Sequence, residues 1–373
     1  MNSSNYKYLK RHWCVVIILL PLLLQGQNNA NQDSTYKNFF LPSPSITYSP
    51  ETDFVFGAFA LYQFKFKNEQ ASTRASYLQI YASKSLKDQL TLRLDHKMFV
   101  PGEKWFFEGE YLYQRSSEKY YGLGHETADD DELHVDFNTI SLQEKFYREV
   151  IDKKLFVGLM MKYVHMFDLK FTDANNNPVI KNFVPGGQGS RHFGLGLALL
   201  WDERNSLLTP TENHYIEVYS LRFFEELGNP KSYTSFRIDG RKYFNFNTGS
   251  RHVLAFQGIA QFTTGDVPFR EMALIGGRYM MRGYTTGRYR DNHMLEAQTE
   301  YRFKVIGRFG MTTFVSVGNV MGDKRGWKWK DYKYAYGVGL RYNINKSDPA
   351  NLRLDVGFGK DTQGVYITFG EAF

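Results

Sequence analysis

Five arginines in one segment, residues 265–292, are the side chains of this sequence best suited to a defined chemical role: Arg270, Arg278, Arg282, Arg288 and Arg290. The segment contains few acids, but the stretch after it places Glu296 and Glu300 on one face of a predicted strand. A guanidinium and a carboxylate form charge-assisted hydrogen bonds that can be bidentate. We therefore expect the segment to fold back against that face. The alternative is a solvated surface loop with scattered basic residues.

Several glycines lie in the same segment. Gly276 and Gly277 are adjacent, and Arg282, Gly283 and Tyr284 follow a few residues later. Glycine allows tight bends that residues with a Cβ atom resist. A connection of about 28 residues without periodicity is uncommon unless it is functional or disordered. These features make the segment the leading candidate for a functional element.

The sequence contains no recognisable motif for catalysis, for a metal ion or for a cofactor. His125-Glu126 lacks the second histidine that a zinc-protease helix requires, and no Gly-x-Ser-x-Gly nucleophile elbow occurs. The single cysteine, Cys14, excludes a disulfide framework and an iron–sulfur cluster. We expect neither enzymatic activity nor a bound metal or cofactor, and an enzyme on this scaffold is the least favoured alternative.

Most of the remaining sequence alternates apolar and polar residues with a period of two, which predicts β-strands. In residues 295–303, polar or charged side chains alternate with apolar or neutral ones, and residues 89–98 and 351–358 show the same pattern. Charges this dense are costly in a dry sandwich core but suit a wet barrel lumen, with the apolar face turned to lipid. A soluble sheet with one solvated face gives the same alternation, so the pattern alone favours a membrane barrel only weakly.

The order of strands and connections strengthens the barrel interpretation. Sixteen strands are predicted near residues 43–49, 54–67, 73–84, 88–99, 104–115, 137–150, 154–171, 191–203, 214–226, 232–246, 252–264, 293–303, 309–320, 333–344, 350–359 and 364–373. The long connections follow odd-numbered strands, and therefore share one end: 116–136, 172–190, 265–292 and 321–332. Bacterial outer-membrane barrels combine an even strand number with long loops at one end. The sequence thus predicts an all-β fold, a 16-stranded antiparallel transmembrane β-barrel over residues 43–373.

The beginning of the chain has the features of a secretory signal peptide. In residues 1–26, three basic residues precede a short apolar run, and small residues follow, so cleavage is expected after residue 26 or as late as residue 30. A transmembrane anchor needs about 20 apolar residues, more than this run contains. Residues 27–42 are then a short periplasmic segment. The formal charge of +7, part of which lies in the signal, is too small to indicate nucleic-acid binding.

The end of the chain is expected to form the last strand. Val365, Ile367, Phe369 and Phe373 share one parity, which predicts an apolar face turned to lipid and an aromatic final residue. Phe369 and Phe373 therefore resemble the C-terminal assembly signal of outer-membrane proteins.

Several motifs occur in a recognisable order. They are Tyr121-Gly122-Leu123-Gly124; Trp201-Asp202-Glu203-Arg204-Asn205 with Pro210; paired glycines before Arg282-Gly283-Tyr284; and Glu300-Tyr301-Arg302 followed by Phe314 and Gly318. This set resembles the early segment, the strand-eight turn, the sixth loop and the following strands of BamA/TamA-type barrels, the bacterial surface antigen superfamily. The resemblance covers about residues 43–373.

The resemblance implies specific contacts for the long loop. Arg282 should occupy the loop tip and reach Glu300 on the inner wall, with Asp355 and Ser316 as further partners. Family members usually carry an inward aspartate where this chain has Ser316, so the loop is expected to be held less tightly or differently. The remaining members of this expected lock are Gly276, Gly277, Gly283 and Tyr284.

The resemblance also implies a function at the outer membrane of a Gram-negative cell. Such barrels help to insert or translocate proteins through a lateral seam between the first and last strands, and the prolines of strand one withhold donors from its ladder. Family members that assemble or secrete proteins carry POTRA domains, for which residues 27–42 leave no room. Expected partners are outer-membrane lipids, lipopolysaccharide, unfolded outer-membrane or secreted proteins and separate partner subunits, without nucleic acid. The alternative is a passive pore or a structural subunit of an outer-membrane complex.

Overall fold

The computed structural model describes residues 38–49, 52–66, 73–127, 132–179, 184–227, 229–246, 252–322, 328–345 and 350–373. The expected signal peptide and residues 27–37 of the expected periplasmic segment lie outside these ranges. Among the described residues, no helix is long and apolar enough to cross a membrane.

Sixteen strands form one antiparallel sheet, and two short strands form a separate hairpin. The strands are β1 (Phe39–Ser49), β2 (Asp53–Phe64), β3 (Ser76–Ser85), β4 (Leu90–Val100), β5 (Trp105–Tyr120), β6 (Leu133–Ile151), β7 (Leu155–Thr172), β8 (Ser190–Asp202), β9 (Asn213–Phe223), β10 (Tyr233–Asn245), β11 (His252–Gly265), β12 (Ala273–Ile275), β13 (Tyr289–Asp291), β14 (His293–Ile306), β15 (Phe309–Met321), β16 (Lys333–Asn345), β17 (Ala350–Gly359) and β18 (Thr362–Phe369). Each strand of the large sheet pairs with its neighbours in sequence, and β11 pairs with β14 across the β12–β13 hairpin. The predicted 16-stranded antiparallel barrel is confirmed, and the structure shows that it is nearly closed.

The two faces of the sheet follow the alternation of the sequence. On β8, Leu195, Leu197 and Leu199 are exposed, as a surface facing lipid should be. On β14, Glu300 is fully buried, whereas its neighbour Tyr301 is 38% exposed. The polar face therefore lines the inside of the barrel, and around β14 it is packed rather than open to water.

The long connections share one end of the barrel, here called the upper end, as predicted. Their bounds differ from the prediction because pairing between β5 and β6 continues to Tyr120 and Leu133, which shortens that connection to residues 121–132. Strand β1 begins and strand β18 ends at the opposite, lower end. There β1 starts at Phe39, four residues earlier than predicted, and the β2–β3 connection, 65–75, is also long.

The first and last strands meet without a shared ladder. Within the described residues, β1 pairs with β2 and β18 pairs with β17, but no pairing joins β1 to β18. The two strands nevertheless come within 8 Å of each other between Cα atoms. The ring of Phe369 on β18 lies 5.5 Å from that of Phe59 on β2. This boundary between β1 and β18 is called the seam below.

The prediction that Phe373 continues the lipid-facing side of the last strand is wrong. Strand β18 ends at Phe369, and Gly370, with a φ of 80°, turns the chain into the barrel. Phe373 is only 4% exposed, and its ring lies 6.1 Å from that of Tyr243 on the inner wall. Phe369 keeps the expected orientation, because it pairs with Leu352 on the face opposite the buried Arg353. Residues 370–373 are called the tail below.

Candidate functional site: the long loop and its lock

The long loop, residues 266–292, folds onto the inner wall rather than into solvent. Its hairpin, β12 with β13, places Ala273 and Ile275 in an apolar cluster with side chains of the wall. The other buried members of that cluster are Ile259, Met280, Met281, Tyr284, Met294, Val320 and Ala335. The expectation that residues 265–292 fold into the lumen therefore agrees with the structure, and the solvated-loop alternative does not.

Glycines shape the tip of the loop. Gly276 and Gly277 have φ values of 103° and 121°, a region that favours glycine. Gly283 has a φ of 119°, and a Cβ atom there would lie 2.7 Å from the backbone carbonyl carbon of Phe358 on β17. The tip thus touches the backbone of the wall, which brings the neighbouring Arg282 within reach of the inner side chains.

Arg282 is fully buried and binds two carboxylates at once. Its Nη2 donates to Glu300 Oε1 at 2.5 Å, and its Nη1 donates to Asp355 Oδ2 at 2.6 Å. Nη2 also lies 3.2 Å from Gln298 Oε1, and the guanidinium sits 3.6 Å above the ring of Phe314. The predicted Arg282–Glu300 pair and the second partner Asp355 are both present.

Ser316, the other predicted partner, does not bind Arg282, and neither does Glu296, which was expected to line the lumen. The hydroxyl of Ser316 instead donates to the carbonyl of Ala335 at 3.5 Å. Glu296, which faces the same interior, accepts a hydrogen bond from the backbone N–H of Gly276. Asp355 supplies the second carboxylate from the strand two positions further along the sheet, so both terminal nitrogens of Arg282 bind a carboxylate although position 316 has no acid.

The tip also binds the last strand directly. The backbone N–H of Gly283 donates to Tyr366 Oη at 3.0 Å, and Thr362 Oγ1 donates to the carbonyl of Gly283 at 2.8 Å. The hydroxyl of the buried Tyr284 accepts from the backbone N–H of Lys360 at 3.0 Å. Residues 283 and 284 therefore join the long loop to β18, which forms one side of the seam.

The remaining arginines of the loop anchor other parts of it. Arg270 pairs with Glu118 at 2.7 Å, and Arg288 donates to Thr127 Oγ1 at 2.7 Å. Arg290 donates to the carbonyl of Phe269 at 3.2 Å, and burial lowers the pKa of its guanidinium to about 10. The basic residues of the segment thus make several separate contacts. Arg270 reaches an acid of strand β5, and Arg282 reaches acids of β14 and β17.

The acids that hold Arg282 belong to a larger closed circuit of charges. Glu300 binds Arg302 at 2.7 Å, and Asp355 binds Arg341 at 2.6 Å. Both arginines then meet Glu371 of the tail, Arg341 at 2.7 Å and Arg302 at 3.8 Å. We call this circuit the charge ring; its members are Arg282, Glu300, Arg302, Glu371, Arg341 and Asp355. Every member side chain is at most 9% exposed.

The tail reaches the ring across the predicted strand-eight turn. Asp202 binds Arg204 at 2.8 Å and Arg74 at 2.9 Å, which fixes the start of this turn. Further along the turn, the carbonyl of Leu208 accepts from the backbone N–H of Glu371 at 3.0 Å. The Trp201–Pro210 motif therefore binds the tail at the lower end of the barrel.

Sequence reasoning missed Glu371 and Arg341 as members of the site. A signal for Glu371 was present, because it has the same parity as Phe369 and Phe373, so a continued strand would place a carboxylate on the lipid face, where it is costly. Its predecessor, Gly370, is a residue type that weakens a strand and marks a point where it can end. Arg341 alternates with Leu340 on β16, which places it on the inner face by the same rule that located Glu300.

One group in the described residues has the chemistry of metal ligands. His125, Glu126 and Asp331 have ligand atoms within 4.8 Å of one another. His125 Nε2 lies 3.2 Å from Asp331 and 3.7 Å from Glu126. This histidine–carboxylate contact links two connections at the upper end.

The buried groups of the site are mainly arginines, carboxylates and aromatic rings that bind one another and fasten the loop to the wall. Charge-assisted contacts of this type give defined geometry, and they are costly to break one partner at a time.

Comparisons with known proteins agree with this architecture. A search of curated proteins gave no match. Among solved structures, the chain is similar to BamA from Haemophilus ducreyi lacking POTRA domains 1–3, with 13% identity, a TM-score of 0.55, and coverage of 89% of this chain and 70% of that chain. It is also similar to CdiB from Acinetobacter baumannii, with 13% identity, a TM-score of 0.55, and coverage of 89% and 59%.

CdiB from Escherichia coli matches with 9% identity, a TM-score of 0.54, and coverage of 88% of this chain and 61% of that chain. The chain thus spans less than two thirds of either CdiB chain. At these identities the likeness shows a shared fold. The description Omp85 superfamily domain matches residues 65–373, most of the sequence, and the chain therefore belongs to the Omp85 superfamily.

Proposed function

We propose that this protein is an outer-membrane barrel that inserts or translocates other proteins through its seam. The observation that carries the proposal is the missing ladder between β1 and β18, although the two strands lie within 8 Å of each other. Unpaired strand edges are templates for an incoming strand, and such β-augmentation is a known mode of peptide recognition.

The composition of β1 supports a weak edge. Pro42 and Pro44 lie opposite Ala60 and Ala58 of β2, and neither proline has an N–H to donate. The opposite edge, β18, is fastened to the long loop through Thr362 and Tyr366. One side of the seam is therefore short of donors, and the other is held by a loop that can be released.

Cysteine pairs across the seam test this function. One cysteine is placed in residues 43–46 and one in residues 362–369, in a Cys14→Ser background that removes the only native thiol. Pairs that crosslink in assembled protein are then compared, oxidised and reduced, for the ability to restore outer-membrane protein levels in depleted cells. We expect crosslinked protein to lose this ability and reduction to restore it.

The matched control is a crosslink between two strands that already share a ladder. Cysteines at Ala82 and Leu92, opposite each other on β3 and β4, constrain the barrel without closing the seam, so function should persist. Full activity of a quantitatively crosslinked seam would exclude lateral insertion and favour a pore or structural role.

A further inference from the structure

We propose that the tail is a positioning element of the long-loop lock, and that Glu371 keeps the charge ring closed around Arg282. Glu371 does not contact Arg282. It binds Arg302 and Arg341, and these two arginines bind the two acids that hold Arg282. Glu371 therefore acts on Arg282 indirectly, from the opposite side of the ring. This inference concerns the coupling of two segments and does not depend on which client the barrel handles.

Glu371 is itself held in place by independent contacts. Asn351 Nδ2 donates to its Oε1 at 2.6 Å, which leaves Oε2 directed at Arg341 and Arg302. The backbone N–H of Gly370 donates to the carbonyl of Asn351 at 2.8 Å. The tail therefore arrives with its carboxylate already oriented, and Asn351 and the strand-eight turn provide that orientation.

Charge balance explains why the ring requires a third acid. Arg302 and Arg341 would compete with Arg282 for Glu300 and Asp355 if no other carboxylate were present. Arg353 adds a further positive charge, 3.4 Å from Asp355. Removing one partner of a buried ion pair strands the other charge, so loss of Glu371 leaves four arginines facing two acids.

Phe373 reinforces the same position. Its ring lies 4.9 Å from the guanidinium of Arg302, and its main-chain oxygen accepts from Arg302 Nη2 at 3.0 Å. The aromatic ring thus covers one side of Arg302 while Glu300 and Glu371 satisfy the others. The tail therefore contributes a carboxylate that binds the ring and an aromatic side chain that packs over Arg302.

The consequence is that β18 is fastened to the loop lock at both ends. Thr362 and Tyr366 bind the tip from within the strand, and Glu371 binds the ring from beyond its lower end. Release of Arg282 should therefore loosen the tail, and release of the tail should loosen Arg282, because energetic coupling between two sites is reciprocal.

The test uses a thiol reporter inside the loop. Met280→Cys, in a Cys14→Ser background, places a thiol in the buried apolar cluster, where it reacts with maleimide only when the loop leaves the wall. We expect Glu371→Gln to speed labelling about tenfold, within the usual range of coupling between sites, while heat-modifiable migration shows that the barrel is assembled. Phe373→Ala, which keeps every charge of the ring, should give a smaller increase.

A matched control separates the ring from general loosening. Glu217→Gln removes an equally buried carboxylate that binds Lys145 at 2.7 Å outside the ring, and labelling of residue 280 should stay at the reference rate. Arg282→Gln combined with Glu371→Gln should label no faster than Arg282→Gln alone, because both act on one ring. Additive rates, or equal effects of Glu217→Gln and Glu371→Gln, would overturn the proposal.

The reciprocal measurement reads the tail. Ala372→Cys reports exposure of the tail, and Arg282→Gln should speed its labelling as well, because loss of Arg282 opens the same ring from the other side. If Glu371→Gln fails to assemble, this measurement and the Phe373→Ala variant still decide the question. Unchanged labelling of residue 372 in assembled Arg282→Gln protein would show that the tail and the lock are separate.

Discussion

Arg282 illustrates how a single side chain can fasten a loop when two carboxylates converge on it. Its two terminal nitrogens each bind a different strand, Glu300 on β14 and Asp355 on β17. Lysine carries the same charge as a compact ammonium and lacks the planar fork that makes this geometry possible. The lock therefore depends on the shape of the guanidinium as well as on its charge.

We predict that Arg282→Lys weakens the lock less than Arg282→Gln, because charge is retained while one of the two acids loses its partner. Removing one partner from a buried ion pair costs about 3–5 kcal/mol, and Arg282→Gln should approach that range. The measurement is surface proteolysis of the long loop at increasing protease concentration, which ranks the two variants and the unaltered protein by the resistance of the loop. Equal resistance of both variants and the unaltered protein would contradict the assignment.

Phe369 and Phe373 make a second residue-scale contrast, since one faces outward and the other lies inside. Phe369→Asp should reduce assembly, because a carboxylate on the lipid face costs about 1–3 kcal/mol depending on depth. Phe373→Asp places its carboxylate beside Arg302, so this variant should assemble to a higher level than Phe369→Asp. The measurement is the amount of heat-modifiable protein of each variant in outer membranes. If Phe373→Asp assembled less than Phe369→Asp, the assignment of Phe373 to the interior would be wrong.

At the scale of elements, alternation predicted the strands well because one face is lipid and the other is a packed polar interior. The same rule located Glu300 on the inner wall. It failed at the tail, since alternation assumes that the strand continues and Gly370 ends it. It also said nothing about which acids meet in space, so Ser316 was favoured over Glu371, which lies on a segment distant in sequence from the loop.

The close packing of the tip on β17 gives a prediction for Gly283. Gly283→Ala adds a Cβ atom 2.7 Å from the backbone of Phe358, in a backbone conformation that already disfavours side chains. Gly307→Ala is the matched control, because Gly307 also has a positive φ, of 57°, but nothing lies within 4 Å of its Cβ position. Maleimide labelling of Met280→Cys should rise far more with Gly283→Ala; similar rates would mean that the tip is loosely packed.

In the molecule as a whole, the long loop and many side chains of the inner wall pack against one another inside the barrel. The long loop covers the wall formed by β11 and β14 to β17, and on the other side Lys145 binds Glu217 and Lys97 binds Glu108. Aromatic residues such as Phe106 and Tyr147 stack nearby, with ring centroids 4.6 Å apart. A barrel filled in this way is poorly suited to the free passage of solutes.

We therefore predict low single-channel conductance for the intact protein in planar bilayers. Deletion of residues 273–291 should produce larger and steadier openings, because it removes the hairpin and Arg282 together. The control is deletion of residues 174–176 from another upper connection, which leaves the lumen contents in place. Large, steady conductance of the intact protein would favour the passive-pore alternative.

The neighbour-to-neighbour order of the strands has a consequence for folding. Pairing along the sheet is local in sequence and can grow hairpin by hairpin, which keeps loop-closure entropy small. The contacts of the charge ring are distant instead: Arg282 and Asp355 are 73 residues apart, and Arg302 and Phe373 are 71. Because the acids that bind Arg282 lie on β14 and β17, these contacts require the pairing of the last strands to be in place, and the distant contacts form late. Late contacts add little to the folding rate but slow unfolding, so the ring should extend the lifetime of the finished barrel more than it speeds its formation.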